Sequence, residues 1–166
     1  MNRVVIKWDG VGSGWCIKFD TYNNEVVQVL PKGYVRDFPG YLEINLSFRE
    51  LQGIVKDPNA NAIWHKILSS VGAVYLIVDT KDGKQYVGSA SGKEGLLGRW
   101  KEYAINGHGN NIKLKELIDA GPQRIHTFKY TILQTLPKTL TKEEVLREEI
   151  KFKEKLGSRA YRLNLN

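Results

Sequence analysis

The chain has 166 residues, a single cysteine and a formal net charge of +7, with 42% hydrophobic and 26% charged residues, a composition that supports one compact core or two small ones. Cys16 alone excludes an internal disulfide or a thiolate cage for zinc, and no stretch reaches the ~20 apolar residues of a membrane-spanning helix. The start, MNRVVIKWDG, has no leader-like apolar region, so a cytoplasmic protein with no membrane partner is expected, and its excess of Lys and Arg favours a polyanion, whose phosphates release counterions when neutralised.

Residues 3 to 8 (RVVIKW) and 15 to 19 (WCIKF) are predicted strands joined by the Gly-rich GVGSG, and TYNNEVVQV adds a strand after an Asn23-Asn24 turn. LEINLS reads as another strand. Ser47 with Glu50 makes a capping-box pattern that starts a helix over FRELQGIV. After a turn at Asp57-Pro58, NAIWHKILSSV is a short helix. Near residue 70 the pattern changes without a flexible linker. Residues 1–70 are therefore expected to form a β-rich accessory region with one or two helices, serving specificity, interaction or oligomerisation and sharing an interface with residues 71–166.

The second part runs hairpin, helix, helix, strand, helix, so the fold class is α+β with a small antiparallel sheet flanked by helices. AVYLIVDT and KQYVGSA are the hairpin strands, and Asp82-Gly83 supplies the positive φ of a tight turn. KEGLLGRWKEYAI is the next helix. Asn111 caps NIKLKELIDA, which stops at Gly121-Pro122; residues 126 to 134 (HTFKYTILQ) form a strand, and Thr141 with Glu144 starts a last helix ending near Gly157.

With Asp82 and Gly83 as the two central turn residues, position 86 pairs with 79, and the period of two places Tyr75, Ile77, Asp79, Tyr86 and Gly88 on one face. Strand propensity alone accounts for two tyrosines in a hairpin. Arg99 and Tyr103 are neighbours on a helix, at one edge of an apolar stripe of Leu96, Leu97, Trp100 and Ala104. In the last helix Val145, Leu146, Ile150, Phe152 and Leu156 define the buried stripe, with Glu149 near its centre. A carboxylate there must be paired, hydrogen-bonded or metal-bound, and Lys153, one turn later, is a candidate partner. NGHGNN (106–111) sets His108, Asn110 and Asn111 at a helix start, which suits a phosphate and equally a capped surface turn. Trp8, Trp15 and Tyr34 are residues that stack on bases or pack in a core.

Taken in order, these segments resemble the GIY-YIG nuclease superfamily over residues 72–164. Ala73-Val74-Tyr75 corresponds to the first motif, with Ala for the usual Gly, and Tyr86-Val87-Gly88 to the second. Arg99 matches the helix arginine, Tyr103 stands where His is common, Glu149 matches the metal-binding glutamate, and Asn164 in YRLN matches a C-terminal asparagine usually preceded by Gly-Leu. YVGSASGKEGLLGRWKEYAINGHGN is also similar to a bacterial branch with YVGSA, GRW and GHGGN segments, in which an N-terminal region commonly precedes the nuclease domain.

The resemblance implies one-step hydrolysis of a phosphodiester in double-stranded DNA with a single Mg²⁺ or Mn²⁺, in restriction or phage defence, with mobile-element transfer and repair left open. It makes Tyr75, Tyr86, Arg99, Tyr103 and Glu149 catalytic, with Glu149 the metal ligand, Tyr75 the base, and Tyr86 and Tyr103 orienting water or phosphate. Lys84, Ser89, His108, Asn111 and Asn164 are further candidates for contact with nucleic acid. Ala73, Tyr103 and Arg162 depart from the family pattern and leave open a catalytically inactive nucleic-acid-binding module. A homodimer or a partner protein would use the N-terminal region.

Overall fold

The computed structural model describes residues 2–7 and 25–158. The predicted strand at 15–19, the Asn23-Asn24 turn, Cys16, Trp8, Trp15 and the YRLN stretch with Asn164 and Arg162 lie outside the described residues. The fold is α+β, as expected. Strands β1 (Arg3–Ile6) and β2 (Val26–Leu30) pair as an antiparallel ribbon. Strands β3 (Asn45–Ser47), β4 (Gly72–Asp79), β5 (Gln85–Ala90) and β6 (Phe128–Leu136) form an antiparallel sheet in the order β3-β6-β4-β5. Helices α1 (Phe48–Lys56), α2 (Ala62–Ser70), α3 (Gly95–Asn106), α4 (Ile112–Asp119) and α5 (Lys142–Lys155) surround it, with a 3-10 turn at Pro122–Thr127. Among the described residues no helix is long and apolar enough to cross a membrane.

The helix starts follow their capping chemistry. Ser47 and Glu50 close a reciprocal box on α1, Thr141 and Glu144 do so on α5, and the Asn111 side chain accepts from the Leu114 amide at 2.9 Å. Each bond satisfies an amide that the first helical turn leaves without an intrahelical acceptor.

The core is continuous across residue 70. Leu46, Leu51, Ile54, Trp64 and Leu68 lie in one buried cluster with Tyr75, Trp100, Tyr103 and Tyr130. Strand β3 joins the sheet by pairing Leu46 with Tyr130, and α1 and α2 both pack on α3. LEINLS yields only three strand residues because Ser47 ends β3 by becoming the α1 cap. At the junction the Leu96 amide donates to the Val71 carbonyl at 2.8 Å. Gly95 permits that approach, since a Cβ there would sit 2.3 Å from the Val71 oxygen.

Central strand β4 is buried on both faces. Ala73, Tyr75 and Ile77 face the helices α1 to α3, whereas Val74 and Leu76 face the cluster containing Val145 and flanked by Phe152 and Leu156 of α5. The hairpin differs from the tight turn expected. Tyr86 pairs with Ile77 instead of Asp79, and the chain reverses through the four residues Thr80–Gly83, closed by Asp79 N to Lys84 O at 2.9 Å. A slip of two keeps the parity, so Tyr75 and Tyr86 still share a face.

Strand β6 also begins two residues later than predicted. Arg124 is drawn to the carboxylates of Asp79 and Asp82, and Thr127 Oγ1 donates to Asp79 at 2.6 Å, which holds residues 122–127 in the 3-10 turn. A bulge in the β4–β6 pairing falls between Val74 and Tyr75, with Val74 opposite Gln134 and Tyr75 opposite Ile132. Bulges re-aim side chains and recur beside functional sites.

The inward line of α5 corrects the predicted stripe. Leu146 is 49% exposed, while Lys153 is only 5% exposed. Val145, Glu149 and Lys153 therefore form an inward line at four-residue spacing, Val145 and Lys153 buried and Glu149 partly so, with Phe152 and Leu156 partly buried beside it.

Close packing around Tyr75 sets the first prediction. A Cβ at Gly88 would lie 2.5 Å from the Tyr75 phenol oxygen and 2.6 Å from its Cζ. Tyr75 is 1% exposed and cannot swing away. Gly88→Ala is expected to destabilise the fold by about 1–3 kcal/mol, as overpacking does, and to displace the phenol, read as a lower melting temperature together with a changed near-ultraviolet circular dichroism signal.

Candidate active site

Four of the tyrosine and arginine candidates meet on the α3 side of the sheet. Tyr75 comes from the centre of β4, Tyr86 from edge strand β5, and Arg99 and Tyr103 from adjacent turns of α3. The Tyr75 and Tyr103 phenols are 3.0 Å apart and hydrogen-bonded to each other. Arg99 donates through Nε to Tyr75 at 3.3 Å and through Nη2 to Tyr103 at 3.2 Å. The Tyr86 ring lies 6.5 Å from that of Tyr75, centroid to centroid, and Trp100 and Tyr130 pack edge-on behind the cluster.

Burial decides the protonation of this group. Tyr75 and Tyr103 are 1% and 0% exposed. Desolvation pushes both phenols well above their ordinary range, and the neighbouring Tyr86 adds to it, while Arg99 only partly opposes the rise. Both are neutral at physiological pH. Burial works against the Arg99 guanidinium, but the group stays cationic, and the neutral Tyr75 and Tyr103 phenols accept its hydrogen bonds. The third arm of the fork, Nη1, is taken by Glu102, one turn along α3. That contact was not singled out from the sequence, although its three-residue spacing is the signal for it.

The carboxylate group sits on the other flank of β5. Ser89 neighbours Gly88 and so projects to the α5 face, where its hydroxyl donates to Glu149 Oε2 at 2.5 Å. Lys153 Nζ lies 2.8 Å from Glu149 Oε1, the side chains being 6% and 13% exposed. The partly buried carboxylate is thus both paired and hydrogen-bonded. Strand β5 is the sheet edge, with α3 packed near one face and α5 on the other. Guanidinium and carboxylate therefore flank one edge strand from opposite sides.

Other candidates take plainer places. Lys84 pairs with Asp82 at 2.9 Å by the hairpin turn. His108 accepts through Nδ1 from the Asn110 amide at 3.1 Å, which leaves Nε2 as the protonated nitrogen of the neutral ring. Asn111 is occupied as the α4 cap. Their loop nonetheless adjoins the cluster, since Gly109 lies against the Tyr103 ring.

As a metal ligand Glu149 offers two hard oxygens, each with one acceptor bond already made. Among the described residues no group of three His, Cys, Asp or Glu side chains converges. Such a donor set fits Mg²⁺, which commonly takes one or two carboxylates and completes its shell with water and substrate phosphate oxygens. Comparison of the chain with protein-family models, curated proteins and solved structures finds no match.

Proposed function

We propose that the chain is a metal-dependent endonuclease of the GIY-YIG type, acting on phosphodiester bonds of double-stranded DNA in the cytoplasm, in restriction or phage defence. The observation that carries this reading is the Tyr75–Arg99–Tyr103 hydrogen-bonded cluster on one flank of β5, with the partly buried Glu149 carboxylate on the other. A guanidinium held by two neutral phenols is a rigid forked donor, suited to charge developing on a phosphate. The phenols fix its orientation without charge of their own, and its countercharge is Glu102 at Nη1.

The proton acceptor is better placed in Tyr86 than in Tyr75. Tyr75 is sealed from water and tied on both sides, whereas Tyr86 is only partly buried beside it. Tyr75 then acts by positioning Arg99. Glu149 would hold the divalent cation, which supplies stabilisation of charge on the phosphate and the leaving oxygen when bound. Ser89 orients that carboxylate. One such site cuts one strand, so a double-strand break takes a second copy of the chain or a second binding event.

A second reading has its own support. Glu149 is already neutralised by Lys153, as in a scaffold that binds nucleic acid without cutting it. An agarose-gel assay of supercoiled plasmid with Mg²⁺ or Mn²⁺ separates the two. Nicked or linear product that disappears with EDTA and with Arg99→Ala is the expected result. Retention of DNA without cleavage in either metal would favour the binding module.

A further inference from the structure

The Glu149–Lys153 pair raises a question of charge. Lys153 reaches Glu149 from within α5, one turn away, and at 5% exposure its ammonium is held against the carboxylate instead of in bulk water. Its ammonium sits against the very oxygen a cation would approach. Ser89 holds the other oxygen. A divalent ion arriving at this carboxylate meets a fixed positive charge a few ångströms away, in surroundings where screening is weak.

On the reading of Glu149 as the metal ligand, we propose that Lys153 is a built-in counter-cation that keeps metal affinity low in the free protein and makes metal binding depend on DNA. The scissile phosphate brings negative charge and oxygen ligands to the same place. With phosphate present, the carboxylate can serve ammonium and metal together, because each oxygen has a second lone pair. Lys153 is thus a positioning and gating residue, and the protein carries no loaded metal site until substrate is seated. Free metal and free protein do not form the cutting species by themselves.

The test is Mn²⁺ binding to the full chain without DNA, followed by electron paramagnetic resonance of the free ion. Lys153→Met is expected to tighten Mn²⁺ binding at least about tenfold, the scale of removing a like charge at this range. Lys153→Arg should bind as weakly as wild type, and the gain should vanish in the Glu149→Gln/Lys153→Met double variant. No gain in Lys153→Met, or a gain that survives Glu149→Gln, overturns the proposal.

A second measurement uses wild-type protein and does not depend on the variant folding. Mn²⁺ affinity is compared with and without a phosphorothioate duplex that resists cleavage. At least about tenfold tighter binding with the duplex is expected, and equal affinity overturns the gate. The nuclease reading fails separately: a Glu149-dependent gain in Lys153→Met alongside an intact plasmid would retain the counter-cation and remove the cleavage.

Discussion

Glu149→Ala is expected to lose metal-dependent cleavage by at least about a thousandfold, the scale of removing a group that stabilises developing charge, and also to lower stability. Lys153, 5% exposed, would lose the Glu149 carboxylate. Removing one member of a buried pair costs up to about 3–5 kcal/mol, which for a chain of this length is a fall of about 10 °C in melting temperature. Lost activity in the alanine variant alone therefore does not separate chemistry from stability. The double variant Glu149→Gln/Lys153→Met removes both charges while nearly keeping their volume, and the carboxamide oxygen it places at position 149 still accepts from Ser89. It is expected to melt within a few degrees of wild type, because replacing a buried pair by neutral groups is often neutral or stabilising. It should remain inactive. Thermal unfolding by circular dichroism and plasmid cleavage, run together, check both halves; full activity in the double variant would remove Glu149 from the chemistry.

Local chemistry was the most legible part of the chain. Ser47 with Glu50, Thr141 with Glu144, and Asn111 each do in the structure what their spacing implies, because a cap involves residues three apart and little else. Face parity in the hairpin was equally legible, although its register was not. The turn takes four residues, Thr80–Gly83, and Arg124, distant in sequence, holds Asp79 and Asp82 beside it. Such a tie belongs to tertiary structure and leaves no trace in a local pattern. The same limit explains α5. A helical wheel ranks Leu146 as core by its hydrophobicity, but the helix turns Val145, Glu149 and Lys153 inward and leaves Leu146 49% exposed. Conversely, the wheel placed Glu149 near the buried centre and named Lys153 as its partner, which is the arrangement found. The missing linker near residue 70 pointed to a shared interface, but that α1 and α2 belong to one core was hidden because β3 contributes only three residues to the sheet and pairs with a strand far along the chain.

Arg99→Lys is expected to abolish cleavage almost as fully as Arg99→Ala, with a loss of about a hundred- to a thousandfold in single-turnover rate, the scale for removing one donor to a developing charge. Charge is retained, so the prediction rests on shape. The guanidinium donates through Nε to Tyr75 and through Nη2 to Tyr103 at the same time, and Nη1 reaches Glu102. A lysine ammonium is a compact point donor at the end of a flexible stem and cannot span both phenols in one plane. Tyr75 and Tyr103 would then bond mainly to each other, 0% to 1% exposed, and the cation would lose the two contacts that aim it. DNA affinity should change much less than rate, because one charge of similar position remains available to the phosphate backbone. The decisive comparison is the rate constant for cleavage against the dissociation constant for the same duplex, measured at one salt concentration. A lysine variant that cuts at the wild-type rate would reduce Arg99 to a source of charge and remove the phenol-held fork from the mechanism; one that binds normally and does not cut would assign the geometry of that fork to the chemical step.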